Sequence, residues 1–494
     1  MSRADTDAPT EGPNDSGPTF RRVLTFFDVT NITVGAIIGA DIYVAASVTA
    51  GLLGPASLLA WLAAGVLATV LALTLGECAR LVPEVGGPYA YVARAFGRMP
   101  GFLAGWSMWI AELTALPVFA IAFTNYLGYF VELDQTRTHI IRLVFLLVLT
   151  ATNVVSIRAA GRLNDALTAL KLAPLVALVL GGLTYAVFHA PEVVERMTPF
   201  APFGFGQFPL ALVLIIWAYM GFELSTVPAG EVERPAQTIP RALATGMAIV
   251  TVFYLTTNLV VYMLIGAEEL AGHPTPLVAA ATVVFGVPGA ILIAAGAMIS
   301  VCGSDESDMI GSSRLGFAMA ADGLLPRPFA RLHPRFRTPY TALIAQCLIA
   351  MVLTFVDAIP RLISFAVVNL SFTFLLCSLA LIRLQRQGAE RAPLPQRVLP
   401  FVGAAITIAL LAATSTTEKL AGLTVLAIGI GVHFATTPGD VVPEARALLL
   451  DSERLFYRLA HQRMRFLGGP VGWLRGHQSP RARPRGGRGS RRRF

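Results

Sequence analysis

Apolar runs of about twenty residues recur along almost the whole chain. A helix of about 20 apolar residues spans the hydrocarbon core of a bilayer, and inside hydrocarbon only helices or closed barrels pair every backbone polar group. The 494 residues are 55% hydrophobic and 14% charged, with a mean hydropathy of +0.65, which is too apolar for an ordinary soluble protein. The sequence therefore predicts an all-α membrane protein with about twelve transmembrane helices.

The spans divide the chain into a membrane domain and two tails. The predicted spans are 27–52, 55–79, 102–130, 139–156, 166–188, 208–229, 242–265, 276–302, 339–357, 362–384, 395–413 and 420–437. Residues 1–25 are polar and rich in Pro, Asp and Gly, so we expect a disordered N-terminal tail. We expect the transmembrane domain at 26–437 and a second tail at 438–494, with an amphipathic interfacial helix at 443–467.

The positive charges indicate the orientation. Most Lys and Arg residues lie in the two tails and in alternate loops, and cytoplasmic loops retain such residues. Both termini are therefore predicted to be cytoplasmic. The segment Arg481–Phe494 holds seven arginines and no acid. Anionic lipid headgroups are its expected partner, in preference to a nucleic acid.

Two apolar stretches are each interrupted by glycine and contain a carboxylate. They are V-G-A-I-I-G-A-D-I-Y-V from Val34 to Val44 and W-A-Y-M-G-F-E-L-S from Trp217 to Ser225. Backbone groups freed by such breaks are tolerated in a membrane only where they line a cavity or bind a solute. A matched pair of breaks is typical of the binding site of a transporter.

Enzyme and metal motifs are missing from the sequence. It contains no H-E-x-x-H or G-x-S-x-G pattern, and its four cysteines lack metal or disulfide spacing. We therefore expect no enzymatic activity, no bound metal and no cofactor.

Further motifs lie in loops on the predicted cytoplasmic side. They are G-E-C-A-R-L-V-P-E-V-G-G-P-Y-A-Y after the second span, N-V-V-S-I-R-A-A-G-R-L-N-D after the fourth, A-G-E-V-E-R-P-A-Q-T-I-P-R-A after the sixth, and S-S-R-L-G-F-A-M-A-A-D-G-L-L-P-R-P after the eighth. With the first break, these resemble the motifs of the amino acid/polyamine/organocation (APC) superfamily of permeases from about Phe26 to about Pro339.

The resemblance implies both a fold and an activity. It implies a five-plus-five inverted repeat with broken helices 1 and 6, and two accessory spans. It also implies a secondary active permease of the plasma membrane that moves an amino acid or related amine by alternating access. The expected partners are that small molecule and protons, and the oligomeric state is left open.

The first break supplies one set of candidate substrate ligands. Gly35, Ile38, Gly39 and Ala40 surround a half-helix start whose free N–H groups favour a carboxylate, although glycines at this spacing also serve helix packing. Asp41 stands where the family usually has glycine. It either caps the outer half-helix, or attracts a substrate ammonium or holds the coupling proton.

The second break supplies further candidate residues for substrate binding and proton coupling. Trp217 and Glu223 are six residues apart around Met220 and Gly221, as are a tryptophan and a glutamate in bacterial arginine/agmatine exchangers. That resemblance implies an indole stacked on a cationic group and a carboxylate in the proton pathway, both physically reasonable roles. Alternatively, the tryptophan is core and the glutamate bonds freed backbone groups.

Charged residues elsewhere in the spans are candidates for coupling or gating. In proton-coupled relatives a lysine matching Lys171 replaces a sodium ion, although this lysine could also snorkel to the cytoplasmic surface. Glu112 is either a proton relay or a polar contact between helices. Asp305 and Asp308 share a helical face, unless span 8 ends early and leaves them in solvent.

The acidic residues weakly favour cationic substrates such as arginine, ornithine, agmatine or polyamines. A neutral amino acid permease is the alternative. A nutrient sensor on the same fold, without transport, is a third interpretation.

Overall fold

The computed structural model describes residues 24–436 except 40, 84–85, 156, 228, 230–231, 337, 357 and 388–392, and the side chains of 157–171 are not described. The predicted tails, the interfacial helix and the basic C-terminal segment lie outside these residues, apart from Leu24 and Thr25. Within the described part the chain is helical, and a single isolated bridge joins Leu24 to Val232. The predicted all-α class is confirmed.

Fifteen α-helices follow one another in the described residues. They are α1 Phe26–Ile37, α2 Asp41–Leu53, α3 Ser57–Leu81, α4 Pro88–Phe96, α5 Arg98–Leu127, α6 Gln135–Val155, α7 Ile157–Phe188, α8 Ala190–Arg196, α9 Phe208–Ala218, α10 Pro235–Leu270, α11 Pro276–Ala321, α12 Tyr340–Leu353, α13 Ile359–Gln387, α14 Leu394–Ala413 and α15 Thr416–Thr436.

Helices occur at all twelve predicted spans, but not all are long enough to cross a membrane alone. In the described residues, eight helical runs are long and apolar enough, or nine if the bent pair Leu172–Phe188 and Ala190–Arg196 forms one span. Shorter apolar helices at Phe26–Ile37, Phe208–Ala218 and Tyr340–Val356 belong to predicted spans 1, 6 and 9. Spans 1 and 6 are short because each contains a break.

Helix α11 extends well beyond the predicted end of span 8 at 302. It continues to Ala321 and bends at Gly286, whose φ is +64°. The acidic segment G-S-D-E-S-D therefore lies inside the helix, where its small residues allow close packing against neighbouring helices. The alternative that these acids form a solvated helix end is wrong, because Asp305 and Asp308 are buried.

Among the described helices long enough to cross a membrane, α5 is the most buried. Its apolar window is 89% buried, and it packs against α4, α11 and α13. This position carries Glu112 into the interior of the bundle. The two halves of the first broken span pack against different helices, α1 against α10 and α2 against α9.

Candidate functional site

The first break lies between the end of α1 at Ile37 and the start of α2 at Asp41. The side chain of Tyr254, on α10, donates from its hydroxyl to the carbonyl of Ile37 (2.8 Å). The next amide, of Ile38, still bonds to Val34 O (2.9 Å). A side chain from another helix thus satisfies a carbonyl that the break would leave without an intrahelical partner.

The second break follows the end of α9 at Ala218, where the chain continues in turns. Gly221 has a φ of +113°, and a Cβ atom at this position would stand 3.0 Å from the carbonyl oxygen of Ala36. Glycine is therefore required both for its backbone conformation and for the close approach. The two broken spans meet backbone to backbone at this point.

The ends of the broken spans are also tied together at one side of the bundle. The amide of Glu233 donates to the carbonyl of Leu24 (2.8 Å) beside the Leu24–Val232 bridge. Leu24 precedes α1, and Glu233 precedes α10. The chain entering the first broken span is thus bonded to the chain leaving the second.

Glu223 makes the backbone contact that its sequence position suggests. Its Oε2 accepts a hydrogen bond from the Gly221 amide (3.0 Å) and so satisfies a freed backbone group. Its Oε1 is buried and has no geometrically defined hydrogen bond to the described residues, although the carboxyl of Glu112 lies close enough to interact with it. One oxygen therefore supports the break, and the carboxyl also belongs to the cluster of acids in this region.

A cavity of about 50 Å³ lies between the two breaks, α5, α11 and α13. Its wall is mostly small and apolar with four carboxylates, and it contains Ala36, Asp41, Ala111, Glu112, Ala115, Phe119, Trp217, Met220, Gly221, Glu223, Leu224, Ser304, Ser307, Asp308, Ala366 and Leu370. Pockets for organic ligands usually measure about 300–1,000 Å³. This conformation is therefore closed around the site, and the helices must separate to admit a substrate.

The carboxylates of this wall form an interacting cluster. The carboxyl of Glu112 interacts with those of both Asp308 and Glu223, and Asp308 also interacts with Asp41. Both oxygens of Asp308 and one oxygen of Glu112 are buried and form no geometrically defined hydrogen bond with the described residues. Among the side chains that the structure describes, which do not include Lys171, no Lys, Arg or His belongs to the wall. Such a cluster is stabilised by positive charge, from a substrate ammonium or a bound proton.

Aromatic rings form the remaining specific feature of the wall. The rings of Trp217 and Phe119 have centroids 6.4 Å apart and an angle of 32° between their planes, and both side chains are buried. An indole face in a desolvated site attracts a cationic ligand. The cavity thus combines an aromatic surface with nearby carboxylates.

The first break also packs closely against α11. A Cβ atom at Gly39 would lie 2.5 Å from Ser304 Oγ and 3.2 Å from Asp41 Oδ2. The carboxylate of Asp41 therefore lies beside the break, next to the start of α2. Negative charge at the start of a helix is favourable. The Asp41 carboxylate therefore lies where a bound anion would otherwise be stabilised.

The structure brings most of the predicted site residues to one cavity, although not all of them line it. Gly35 lies in the last turn of α1, and Ile38 and Gly39 lie in the first break, but none of the three belongs to the cavity wall. Asp305 is fully buried outside that wall. Ala40 and the side chain of Lys171 lie outside the described residues.

Several wall residues carry no sequence signal that would single them out. Phe119 is one of many apolar side chains in its span, and Ser304 and Ser307 lie in a segment rich in small residues. The hydroxyl of Tyr254, which supports the first break, comes from a separate helix far along the chain. Only the three-dimensional packing identifies these residues.

Comparison with known proteins identifies the family. The profile of the family described as "Amino acid permease" matches residues 24–431. The chain is 27% identical to the serine/threonine exchanger SteT of Bacillus subtilis (strain 168), over 80% of this chain and 92% of that protein.

Two further relatives align with smaller shares of the chain than SteT does. The branched-chain amino acid permease BcaP of the same organism is 26% identical, over 65% of this chain and 72% of that protein. The cystine/glutamate transporter of Homo sapiens is 28% identical, over 72% of this chain and 73% of that protein. The family match, the multi-pass helical fold and the cavity between two broken spans agree, and the chain belongs to the amino acid permease family of secondary transporters, not to a class of enzymes.

Proposed function

We propose that this permease transports cationic amino acids or related organic amines, by proton coupling or exchange, through alternating access at the cavity between the two broken spans. The observation that carries the proposal is the charge of the wall. Asp41, Glu112, Glu223 and Asp308 line the cavity, and none of the other wall residues in the described part of the chain is basic. A substrate with positive charge compensates these carboxylates, whereas one with net negative charge adds to their repulsion.

The position of Asp41 supports the same preference. In a typical amino acid site the start of the outer half-helix binds the substrate carboxylate. Here a carboxylate oxygen of Asp41 lies beside Gly39 at that place. An incoming α-carboxylate would meet like charge, so an amine gains more from this site than a zwitterion does.

The test of this proposal is a competition assay in proteoliposomes. Uptake of labelled arginine or agmatine would be measured against unlabelled basic, neutral and acidic amino acids. We expect basic amino acids and amines to compete strongly, neutral amino acids weakly and glutamate least. Strong competition by serine or leucine with none by arginine would contradict the cationic preference.

A neutral amino acid permease is the second candidate. The relatives whose names specify serine/threonine and branched-chain amino acids favour it. The same competition panel separates the two candidates. Binding in proteoliposomes without flux would instead support a nutrient sensor.

Replacing Asp41 by glycine is expected to shift selectivity toward neutral amino acids. The replacement frees the start of α2 for a substrate carboxylate and removes a like charge. We expect the ratio of serine uptake to agmatine uptake to rise about tenfold, because agmatine has no α-carboxylate to bind there; this corresponds to about 1.4 kcal/mol. Asp41→Asn, which removes the charge but keeps the side-chain volume, should give a smaller rise. An unchanged ratio in both variants would exclude Asp41 from substrate selection.

Lys171 is the proposed coupling residue, together with a carboxylate of the cluster. The proposal rests on the resemblance to proton-coupled relatives and on the ease with which a buried lysine loses its proton. We expect Lys171→Ala to abolish uptake driven by an inward pH gradient while substrate exchange at equal pH is retained. Arg158→Ala, on the same helix, serves as the control. Unchanged pH-driven uptake by Lys171→Ala would remove this lysine from the mechanism.

The cellular setting follows from the sequence and is also proposed. We infer a multi-pass protein of the plasma membrane with both termini in the cytoplasm, because alternate loops and both tails carry most of the basic residues. The basic C-terminal segment would bind anionic lipid headgroups. Labelling of single cysteines introduced near each terminus, from either side of the membrane, tests this orientation.

A further inference from the structure

A second and larger cavity lies away from the central site, between α5, α12, α13 and α15. Its volume is about 390 Å³. Most of its surface is apolar, supplied by Ile110, Leu113, Ile349, Leu353, Leu362 and Phe365. At its edge Ile349 and Val356 are exposed apolar side chains, so this groove opens on a surface that a bilayer covers. Its shape and lining suit an acyl chain.

Two charged side chains of opposite sign line the same groove. Arg361 lies at the start of α13 and Glu418 at the start of α15. Neither forms an ion pair within the part of the chain that the structure describes. Glu418 Oε2 is buried and has no hydrogen-bond partner among the described residues, although buried carboxylate oxygens normally have one. The groove therefore presents an unpaired positive group and an unsatisfied acceptor.

We propose that this groove binds a phospholipid whose headgroup carries both a phosphate and a primary ammonium. The phosphate would pair with the Arg361 guanidinium, and the ammonium would donate to Glu418 Oε2. One acyl chain would occupy the apolar part of the groove. A quaternary ammonium has no N–H to donate, and an anionic headgroup without an amine would place a second negative charge near Glu418. Phosphatidylethanolamine fits both groups.

Such a lipid would contact helices that also form the central site. On α5, Leu113 and Thr114 face the groove, whereas Ala111 and Glu112 face the central cavity. Helix α13 is divided in the same way, with Phe365 on the groove and Ala366 on the central cavity. The bound lipid would thus be in a position to affect the movement of both helices.

The test measures lipid retention by the full-length purified protein. Delipidated protein in detergent would be incubated with phosphatidylethanolamine, phosphatidylcholine or phosphatidylglycerol of identical acyl chains, and bound lipid counted by native mass spectrometry. We expect phosphatidylethanolamine to be retained about tenfold better than either other lipid, as one additional charge-assisted hydrogen bond implies. Equal retention of the three lipids, or a preference for phosphatidylglycerol, would overturn the proposal from the wild-type protein alone.

Variants then assign the retention to this groove. Arg361→Gln and Glu418→Gln should each lower phosphatidylethanolamine retention about tenfold, and Ala421→Phe, which fills the groove, should lower retention of all three lipids. The control is Arg397→Gln, an exposed arginine on α14 outside the groove, which should behave as wild type. Unchanged retention in both charge variants and in Ala421→Phe would place the lipid elsewhere.

Discussion

Gly221→Ala is expected to reduce substrate uptake to background. At a φ of +113° an alanine is strained, by about 1–3 kcal/mol for such backbone conformations. The new Cβ would also approach the Ala36 carbonyl to 3.0 Å, and its neighbours there are backbone atoms that cannot rotate away. The two broken spans would therefore separate, and the cavity between them would lose its geometry.

The measurement is uptake in proteoliposomes, normalised to the amount of correctly inserted protein. Gly431→Ala is the matched control, because a Cβ at Gly431 meets nothing within 4 Å and alanine is favoured over glycine in a helix. We expect the control to transport as wild type with equal or higher thermal stability. If Gly221→Ala transported as well as the control, the close contact between the two breaks would not be required.

Asp308→Asn is expected to lower uptake of cationic substrates by at least about tenfold. The Asp308 carboxylate is buried in the cavity wall and interacts with the carboxyl of Glu112, so an ammonium or guanidinium in the cavity would compensate its charge. Removing one partner of a desolvated charge pair costs about 2–5 kcal/mol, and each 1.4 kcal/mol is a tenfold change. The asparagine keeps the shape of the side chain, so a loss would reflect charge and not packing.

The matched control for Asp308→Asn is Glu306→Gln on the same helix. Glu306 is only half-buried and does not line the cavity, and we expect its replacement to leave uptake near the wild-type level. Initial rates across a range of substrate concentrations would show whether Asp308 acts on binding or on turnover. An equal effect of the two replacements would indicate a general response to lost acidity in α11 and not a specific contact with substrate.

The sequence was sufficient to locate the broken spans because glycine is a local signal. A side chain at Gly221 would collide with Ala36, and one at Gly39 would collide with Ser304. The glycines that interrupt each apolar run in the sequence therefore lie at the structural breaks. The family match, over residues 24–431, includes the whole stretch of recognised motifs and extends beyond it.

Whether the acidic side chains of span 8 are buried or in solvent could not be predicted from a local signal of this kind. The segment from Gly303 to Asp308 reads equally well as a helix end in solvent or as a buried helix, because its small and acidic residues suit both. The structure continues α11 to Ala321 and buries both Asp305 and Asp308. Packing against neighbouring helices, which no local pattern encodes, decided between the two.

The sequence alone determined that the chain is an all-α membrane protein with two interrupted spans, since the length of an apolar run and the position of a glycine are properties of short segments. The tertiary structure alone decided which carboxylates share a cavity. Glu112, Glu223 and Asp308 come from three separate spans, and they interact only because α5 is held at the centre of the bundle against α11 and α13. Electrostatic interaction depends on distance in space, and distance between helices is set by packing.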